Sequence, residues 1–519
     1  MNWELIVLIC YFAVMLGIGF LLFFRNKSQS DKDYFLGGRG MGPWVTAMSA
    51  QASDMSAWLL MGLPGSILAF GLGQSWIGIG LAIGTALNWI LIARRLRCFS
   101  EAANDSITLP QYLSNRFATK SRALQVTCAI VFLVCFTVYV ASAFRAGADV
   151  FTTLFPNVDE SVAMLIFAVI LIAYTFLGGY MAVCWTDFFQ GLLMLGAVLA
   201  VPIIIVVTKD LDYSLLDKVV AVGESEYSFI ANPFKASAKE ILNGLAWGLG
   251  YFGMPHILVR FMSIKKPSMV KKSATVAITW VVLALGAVIA IATLGRIVPG
   301  KDGLIIGEQL LLAGRDNMIF VEIARDLFPP VVSGVLLAAI IAASMSTADS
   351  QLLVASSSFT ADIYKPLIRK KASDKETLWV GRAVVLLIAV VAYFIAISEG
   401  QGAQAIMKLV SNAWAGFGSS FGSVVILSLF WRRFTYKGAL AGVIAGAVTD
   451  ILWLVLCTTS LNDMFGVGFT TCIWNSGIYE LIPGFAVSMI AAVVVTLIDK
   501  APAKEVTDIY DRAIATTEE

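Results

Sequence analysis

The sequence predicts an all-α integral membrane protein of about thirteen transmembrane helices, ten of them in two five-helix blocks of opposite orientation. Three observations predict it. First, 58% of the 519 residues are hydrophobic and only 14% are charged, against about 25% charged in an ordinary soluble domain. Second, apolar runs long enough to cross a hydrocarbon core of about 30 Å recur along the whole chain. Third, the 37 Lys and Arg residues collect in alternate connecting segments. Together with a net charge of only +2, this pattern excludes a soluble enzyme, a disordered chain and a nucleic-acid binder.

The elements follow in order. Residues 5–24 carry no charge, and the run has MNWE before it and Arg25 and Lys27 after it. A cleaved signal peptide has the reverse arrangement, so this is read as a retained helix with its N-terminus outside. Between Arg39 and Arg94 the only charged residue is Asp54, and 43–93 is read as two helices turning near Gly71–Gln74. Further spans are predicted near 123–155, 161–178, 186–207, 241–259, 273–295, 329–361, 383–398, 409–431, 438–459 and 481–498. With the N-terminus outside, the cytoplasmic segments are 25–42, 94–122, 179–185, 260–272, 365–382, 431–437 and 498–519. They hold 27 Lys and Arg, and the outer segments hold 8. The positive-inside rule therefore supports this orientation, with the C-terminus cytoplasmic.

Interrupted helices begin near 43 and near 241, and each opens a block of five spans. Five is odd, so the block 239–431 is inverted relative to the block 43–207. Such repeats place a binding site at their interface. A peripheral helix, 1–24, precedes them, and an outer loop, 208–238, separates them. Two peripheral helices, 438–497, and a cytoplasmic tail, 498–519, follow.

Seven Cys residues are scattered without a CxxC pair, and only Cys457 and Cys472 are placed to meet, around the last outer loop. There is one histidine, His256, read as a hydrogen-bonded structural residue. Walker A and HEXXH motifs are absent from the sequence, and the one GxSxG string, Gly418–Gly422, lies inside the apolar run 409–431 rather than on a strand-to-helix turn, so ATP-driven transport and nucleophilic hydrolysis lack their machinery. The chain is not expected to be an enzyme. Function is sought instead at polar groups inside the membrane, where a carboxylate costs roughly 2.5–3.5 kcal/mol. The candidates are Asp54, Asp187, Asp349, Asp362, Lys408 and Asp450.

Three segments stand out. In Ser49–Trp58, small and polar residues surround Asp54 in mid-span, and Gly62, Pro64 and Gly65 follow. Broken transporter helices have this composition, with unwound carbonyls that coordinate a cation. Asp54 either contacts an ion directly or pins the broken helix. In Ala342–Gln351, the positions Ala343, Ser346 and Thr347 are spaced i, i+3 and i+4 and share a face. One carbonyl and two hydroxyls form an all-oxygen, weakly charged ligand set, which suits Na⁺ better than Zn²⁺, copper or Ca²⁺. In Asn243–His256, Trp247, Tyr251 and Pro255 recur at i, i+4 and i+8 in a Gly-interrupted span, a face suited to a small, partly apolar solute.

At these residues the chain resembles the proline-transporting members of the sodium:solute symporter family. The resemblance covers nearly the whole chain. It rests on DYFLGGR (33–39), ASDMS (52–56), WLLMGLPG (58–65), GLGYFG (248–253), MST (345–347), WVGR (379–382), AWAGFG (413–418), and Arg433 followed by GALAG (438–442). The resemblance implies a leucine-transporter-type 5+5 inverted-repeat fold and Na⁺-coupled import of L-proline by alternating access, in a bacterial plasma membrane. It implies a Na⁺ site at Ala52, Met55, Ala343, Ser346 and Thr347, the first three through backbone carbonyls. Asp54 matches an aspartate that matters for Na⁺, and Arg39 a supporting arginine on the cytoplasmic side. Ser56, Trp247, Tyr251 and Pro255 match positions at or near bound proline, and Tyr139 an outer gate. Ala57 stands where that pattern has Gly, which bears on the pocket. Asp187, Ser346, Asp349 and Ser350 match positions from which some relatives build a second Na⁺ site. The partners expected are L-proline, Na⁺ and the lipid bilayer, with no nucleic acid and no obligatory protein partner. Another small solute (a different amino acid, a sugar, pantothenate or sialic acid) and coupling to H⁺ remain open alternatives.

Overall fold

The computed structural model describes residues 2–25, 36–177, 179–222, 225–399, 402–457 and 476–518. Helix α1 is Trp3–Arg25. The next predicted span is split into α2, Pro43–Asp54, and α3, Trp58–Phe70. Then come α4, Leu72–Ala102; α5, Ala123–Leu154; α6, Glu160–Leu177; and α7, Tyr180–Thr208. A second split span is α8, Ala238–Gly250, and α9, Pro255–Ser263. The remainder are α10, Pro267–Gly295; α11, Pro330–Ile368; α12, Asp374–Ser398; α13, Ala403–Phe430; α14, Tyr436–Cys457; and α15, Leu481–Ile498. A tail helix, α16, spans Lys504–Glu518.

Among the described residues, nine of these helices are long and apolar enough to cross a membrane by length and composition. The other predicted spans coincide with α1, α6 and the two split helices. Splitting leaves each half too short to span alone, which is why a length criterion passes over the two broken helices of the site. Burial sorts the helices into layers. The most apolar stretches of α11 and α13 are 83% buried, and those of α14 and α15 only 28%. The first two are therefore central and the last two peripheral.

Local sequence explains where the helices start and stop. Pro43 opens α2 and Pro330 opens α11, at positions where a missing N–H costs nothing. Ser237 and Glu240 form a reciprocal capping box at the start of α8. Gly71, at φ +85°, makes the predicted turn between α3 and α4 in a conformation that favours glycine. The loop after α7 contains a short hairpin, Val220–Val222 against Ser225–Tyr227. Helices α4 and α8 cross at their glycines. A Cβ on Gly84 would lie 2.4 Å from Gly248 Cα, and one on Gly80 would lie 2.3 Å from the Gly244 carbonyl oxygen. Gly80/Gly84 and Gly244/Gly248 are thus two small-xxx-small pairs in mutual contact, which lets the backbones meet.

Candidate functional site

The break in α2 has no proline within it. Met55 leaves the helix at ψ 76°, and the Ser56 amide turns back to the Asp54 carbonyl at 3.0 Å. The same carbonyl also accepts from the Trp58 indole at 3.3 Å. Because Ser56 no longer donates four residues back, the Ala52 carbonyl loses its helical partner and must find another. It accepts instead from Ser346 Oγ at 2.8 Å and Thr347 Oγ1 at 3.4 Å. Ser346 also reaches the Ala343 carbonyl at 3.3 Å. Two hydroxyls and two carbonyls from α2 and α11 therefore converge with no formal charge among them. Ala52, Met55, Ala343, Ser346 and Thr347 are all buried. Among the described residues, no group of three or more His, Cys, Asp or Glu could hold a metal ion, so an ion here would meet neutral oxygens.

Asp54 points the other way, toward the second split helix. Its Oδ2 accepts from the Tyr251 hydroxyl at 2.5 Å. Its Oδ1 is buried without a hydrogen-bond partner among the described residues. Ser56 and Ala57 lie beside it in the break, both 1% exposed. The break therefore presents a neutral carbonyl to α11 and a carboxylate to Tyr251 within three residues.

The second break is readable from the sequence, because the residue before a proline is pushed out of the helical region. Met254 is extended, with φ −74° and ψ 107°, and Pro255 starts α9. Tyr251–Gly253 form a tight turn between the halves. Trp247 and Tyr251 therefore keep their i, i+4 relation, and Pro255 lies beyond the break at Met254. Trp247 stacks on Tyr479 at 5.5 Å, and Tyr251 meets Trp414 edge-on at 5.0 Å. Trp414 donates from its indole to the Trp247 carbonyl at 2.8 Å. Tyr139 is fully buried and lies 6.3 Å from the His256 ring. The His256 ring packs between Tyr139 and Phe136.

Asp187, Asp349 and Ser350 come together with a residue the sequence analysis placed in a cytoplasmic loop. Arg260 is 1% exposed, inside α9, because the span runs on past residue 259. Its guanidinium donates to Asp187 Oδ2 at 3.1 Å, Ser350 Oγ at 2.5 Å, Ser49 Oγ at 3.2 Å and the His256 carbonyl at 2.7 Å. Ser49 donates to the same Asp187 oxygen at 2.7 Å. Neither Asp349 oxygen has a hydrogen-bond partner among the described residues. Arg39 is buried, at φ +54°. It donates to Asp105 at 2.7 Å, to Ser100 at 3.1 Å, to the Ser106 carbonyl at 3.0 Å and to the Met262 carbonyl. It thus ties the entry of α2 to the ends of α4 and α9.

The other intramembrane candidates have local partners. Asp362 accepts from Thr108, Gln125 and Ser358. Asp450 accepts from Ser419, and Lys408 pairs with Glu399 at 3.3 Å. The suggested meeting of Cys457 with Cys472 lies outside the described residues. Sequence reasoning passed over Trp414, Tyr479 and Asn88, whose amide donates to the Tyr251 carbonyl at 3.1 Å. Asn88 had a signal, as an amide in the middle of an apolar run. Arg260 had none, because it leads directly into the basic loop.

Residues 34–446 match the sodium:solute symporter family. A sodium/proline symporter of Haemophilus influenzae is 41% identical over 515 residues, covering 98% of this chain and 97% of that protein. The high-affinity proline transporter PutP of Bacillus subtilis is 41% identical over 499 residues, covering 96% and 98%. Among solved structures, a substrate-bound, outward-open Na⁺-coupled sialic acid symporter superposes with a TM-score of 0.73 at 19% identity, covering 97% of this chain and 99% of that one. Mhp1, a nucleobase-cation-symport-1 family transporter, gives 0.52 at 14% identity, covering 92% and 98%. At those identities the likeness concerns the fold alone, and that fold is the leucine-transporter type.

Proposed function

The chain belongs to the sodium:solute symporter family, and from that membership we propose that it imports L-proline by secondary active symport with Na⁺. The observation that carries this reading is the break at Met55–Ala57. One short segment offers the Ala52 carbonyl to Ser346 and Thr347 on one side and the Asp54 carboxylate to Tyr251 on the other. Ion and solute are thereby in contact with the same piece of backbone.

In this reading Na⁺ is held by the carbonyls of Ala52, Met55 and Ala343 and the hydroxyls of Ser346 and Thr347. It replaces the two hydrogen bonds that now close on Ala52, and so holds α2 against α11. Asp54 supports it from the solute side. Proline lies against Ser56, Ala57, Trp247, Tyr251 and Pro255, with Tyr139 as a gate and Arg39 steadying the cytoplasmic end. The partner-free Asp54 Oδ1 is an acceptor for the solute's ammonium, and the rings of Trp247 and Tyr251 suit its apolar ring. Support for the solute comes from the relatives named as proline transporters, at about 40% identity over almost their whole length.

No bond is made or broken. Binding of ion and solute is linked, so each raises the affinity for the other by the same factor. One Na⁺ moving through 100 mV supplies about 2.3 kcal/mol, and a tenfold gradient adds about 1.4. The sum sustains an accumulation of several hundred-fold. The blocks 43–207 and 239–431 are the two inverted repeats, with the N-terminus outside and the C-terminus cytoplasmic in a bacterial plasma membrane. The test is uptake of radiolabelled L-proline into proteoliposomes. Accumulation with an imposed Na⁺ gradient, and none with a proton gradient alone, is expected. Uptake driven by protons without Na⁺ overturns the coupling ion. No displacement of label by excess unlabelled proline overturns the solute.

A further inference from the structure

The segment that leads into α15 reaches the candidate solute site from outside both blocks of five helices. Tyr479 stacks its ring on the Trp247 indole, with centroids 5.5 Å apart and an angle of 23° between the planes. Aromatic pairs attract at this separation. The backbone that carries the ring is fixed to α8. Asn243 Nδ2 donates to the Gly477 carbonyl at 2.8 Å, and the Tyr479 amide donates back to Asn243 Oδ1 at 3.0 Å. Asn243 lies one helical turn before Trp247, so one face of α8 holds both the segment's backbone and its ring. The Tyr479 hydroxyl donates to the Ser411 carbonyl of α13 at 2.9 Å. Trp414, a turn further along α13, holds the Trp247 carbonyl at 2.8 Å. Trp453 of α14 donates to the Ile478 carbonyl at 3.1 Å, so the peripheral helices hold the segment as well.

We infer that Tyr479 is a positioning residue for solute selection: it holds the Trp247 indole in one orientation and so sets the size of solute ring that the site accepts. This rests on the Na⁺/proline reading, in which Trp247 is a wall of the solute site. The Trp247 backbone is fixed by α8, so the plane of its indole is decided by what the ring lies against. A phenol ring is large and rigid, and backs the indole without giving way. With Tyr479 in place the wall does not retreat, and a solute ring one methylene larger than that of proline must displace packed atoms. Truncation at position 479 leaves a void behind the indole, into which the surrounding side chains relax. Movement of Trp247 into that void widens the site on the solute side. The larger ring then gains, and proline, less closely fitted, loses. The hydroxyl has the lesser part. Its bond to Ser411 orients the ring, whereas the contact with the indole is made by the ring itself.

The experiment measures radiolabelled L-proline bound to the purified full-length chain in nanodiscs at saturating Na⁺. The label is displaced by L-proline and by L-pipecolate, its homologue with one more methylene in the ring, and thermal unfolding checks the fold. Wild type is expected to prefer proline by roughly tenfold or more, the usual discrimination for one methylene in an apolar pocket. Tyr479→Ala is expected to weaken proline binding and to cut that preference by at least about threefold. Tyr479→Phe, which keeps the ring, is expected to keep the wild-type preference. A folded Tyr479→Ala with unchanged preference, even if both solutes bind more weakly, overturns the inference, and so does a preference lost with Tyr479→Phe. A wild type that binds both solutes equally overturns it too. If Tyr479→Ala does not fold, Asn243→Ala decides, because it frees the segment and leaves the aromatic ring: a narrowed preference supports the inference and an unchanged one overturns it. A wild type that binds no proline fails the solute reading instead, and does so before any variant is compared.

Discussion

Helices α2 and α11 meet at two polar centres about one turn apart, and the two are built on opposite principles. At Ala52, Ser346 and Thr347 every oxygen is neutral, and the hydroxyls close on a carbonyl that a helix break has freed. At Ser49 and Ser350 the same two helices contribute hydroxyls to a charged centre, with Arg260 and Asp187 supplied by α9 and α7. Neutral oxygens bind a monovalent ion weakly enough to release it. A buried guanidinium with four hydrogen bonds does not leave. The comparison teaches that one pair of helices carries both a reversible contact and a permanent one, and that formal charge separates them.

The permanent centre should be felt as stability. Asp187→Ala removes the carboxylate hydrogen-bonded to the buried Arg260 and leaves only Asp349 within Coulombic reach, and an expected loss of up to about 3–5 kcal/mol in unfolding free energy follows. Thermal or denaturant unfolding in detergent measures it. A loss below about 1 kcal/mol would erase the distinction between the centres. Trp247→Ala lies outside both and removes an aromatic wall from the proposed solute site. About 2 kcal/mol or more of proline affinity, roughly thirty-fold, should disappear while ²²Na⁺ binding survives. Loss of both would assign the residue to the scaffold instead.

The reversible centre should be felt as ion affinity. Thr347→Ala removes one neutral oxygen, and an expected rise of about tenfold in the Na⁺ concentration for half-maximal uptake follows. Proline affinity at saturating Na⁺ should change much less, and so should unfolding. Equal impairment at every Na⁺ concentration would remove Thr347 from the ligand set. The smallest effect is expected of Tyr251→Phe, which deletes the hydroxyl bonded to Asp54. A hydrogen bond to a charged group is worth about 1.5–3 kcal/mol. Part of that should be recovered by water in an open site, so proline affinity should fall about fivefold or less. Unchanged affinity would separate Asp54 from the solute.

Much of this was legible in the residues themselves. Span positions follow from apolar runs, because the bilayer imposes a length on any chain that crosses it. The break before Pro255 follows from the ring's clash with the residue preceding it. The small and polar stretch around Asp54 and the spacing of Ala343, Ser346 and Thr347 marked the two segments that converge. In contrast, the contact of Gly80 and Gly84 with Gly244 and Gly248 came only from the fold, since the four-residue spacings do not say which glycines meet. Pro255 does not continue the face of Trp247 and Tyr251, because a helical spacing presumes a continuous helix and this one breaks at Met254.

What the sequence by itself determined, then, is the solvent of each segment and the places where the helices weaken, since both depend on nearest neighbours along the chain. Only the tertiary structure decided what those weakened places face. Arg260 looks like the first residue of a basic loop until α9 is seen to carry it inward to Asp187, a partner 73 positions away. The Ala52 carbonyl looks like any other until hydroxyls 294 and 295 positions further on close over it. A charge buried against its partner and a charge in water are the same letters, and the difference between them is made by contacts that span the chain.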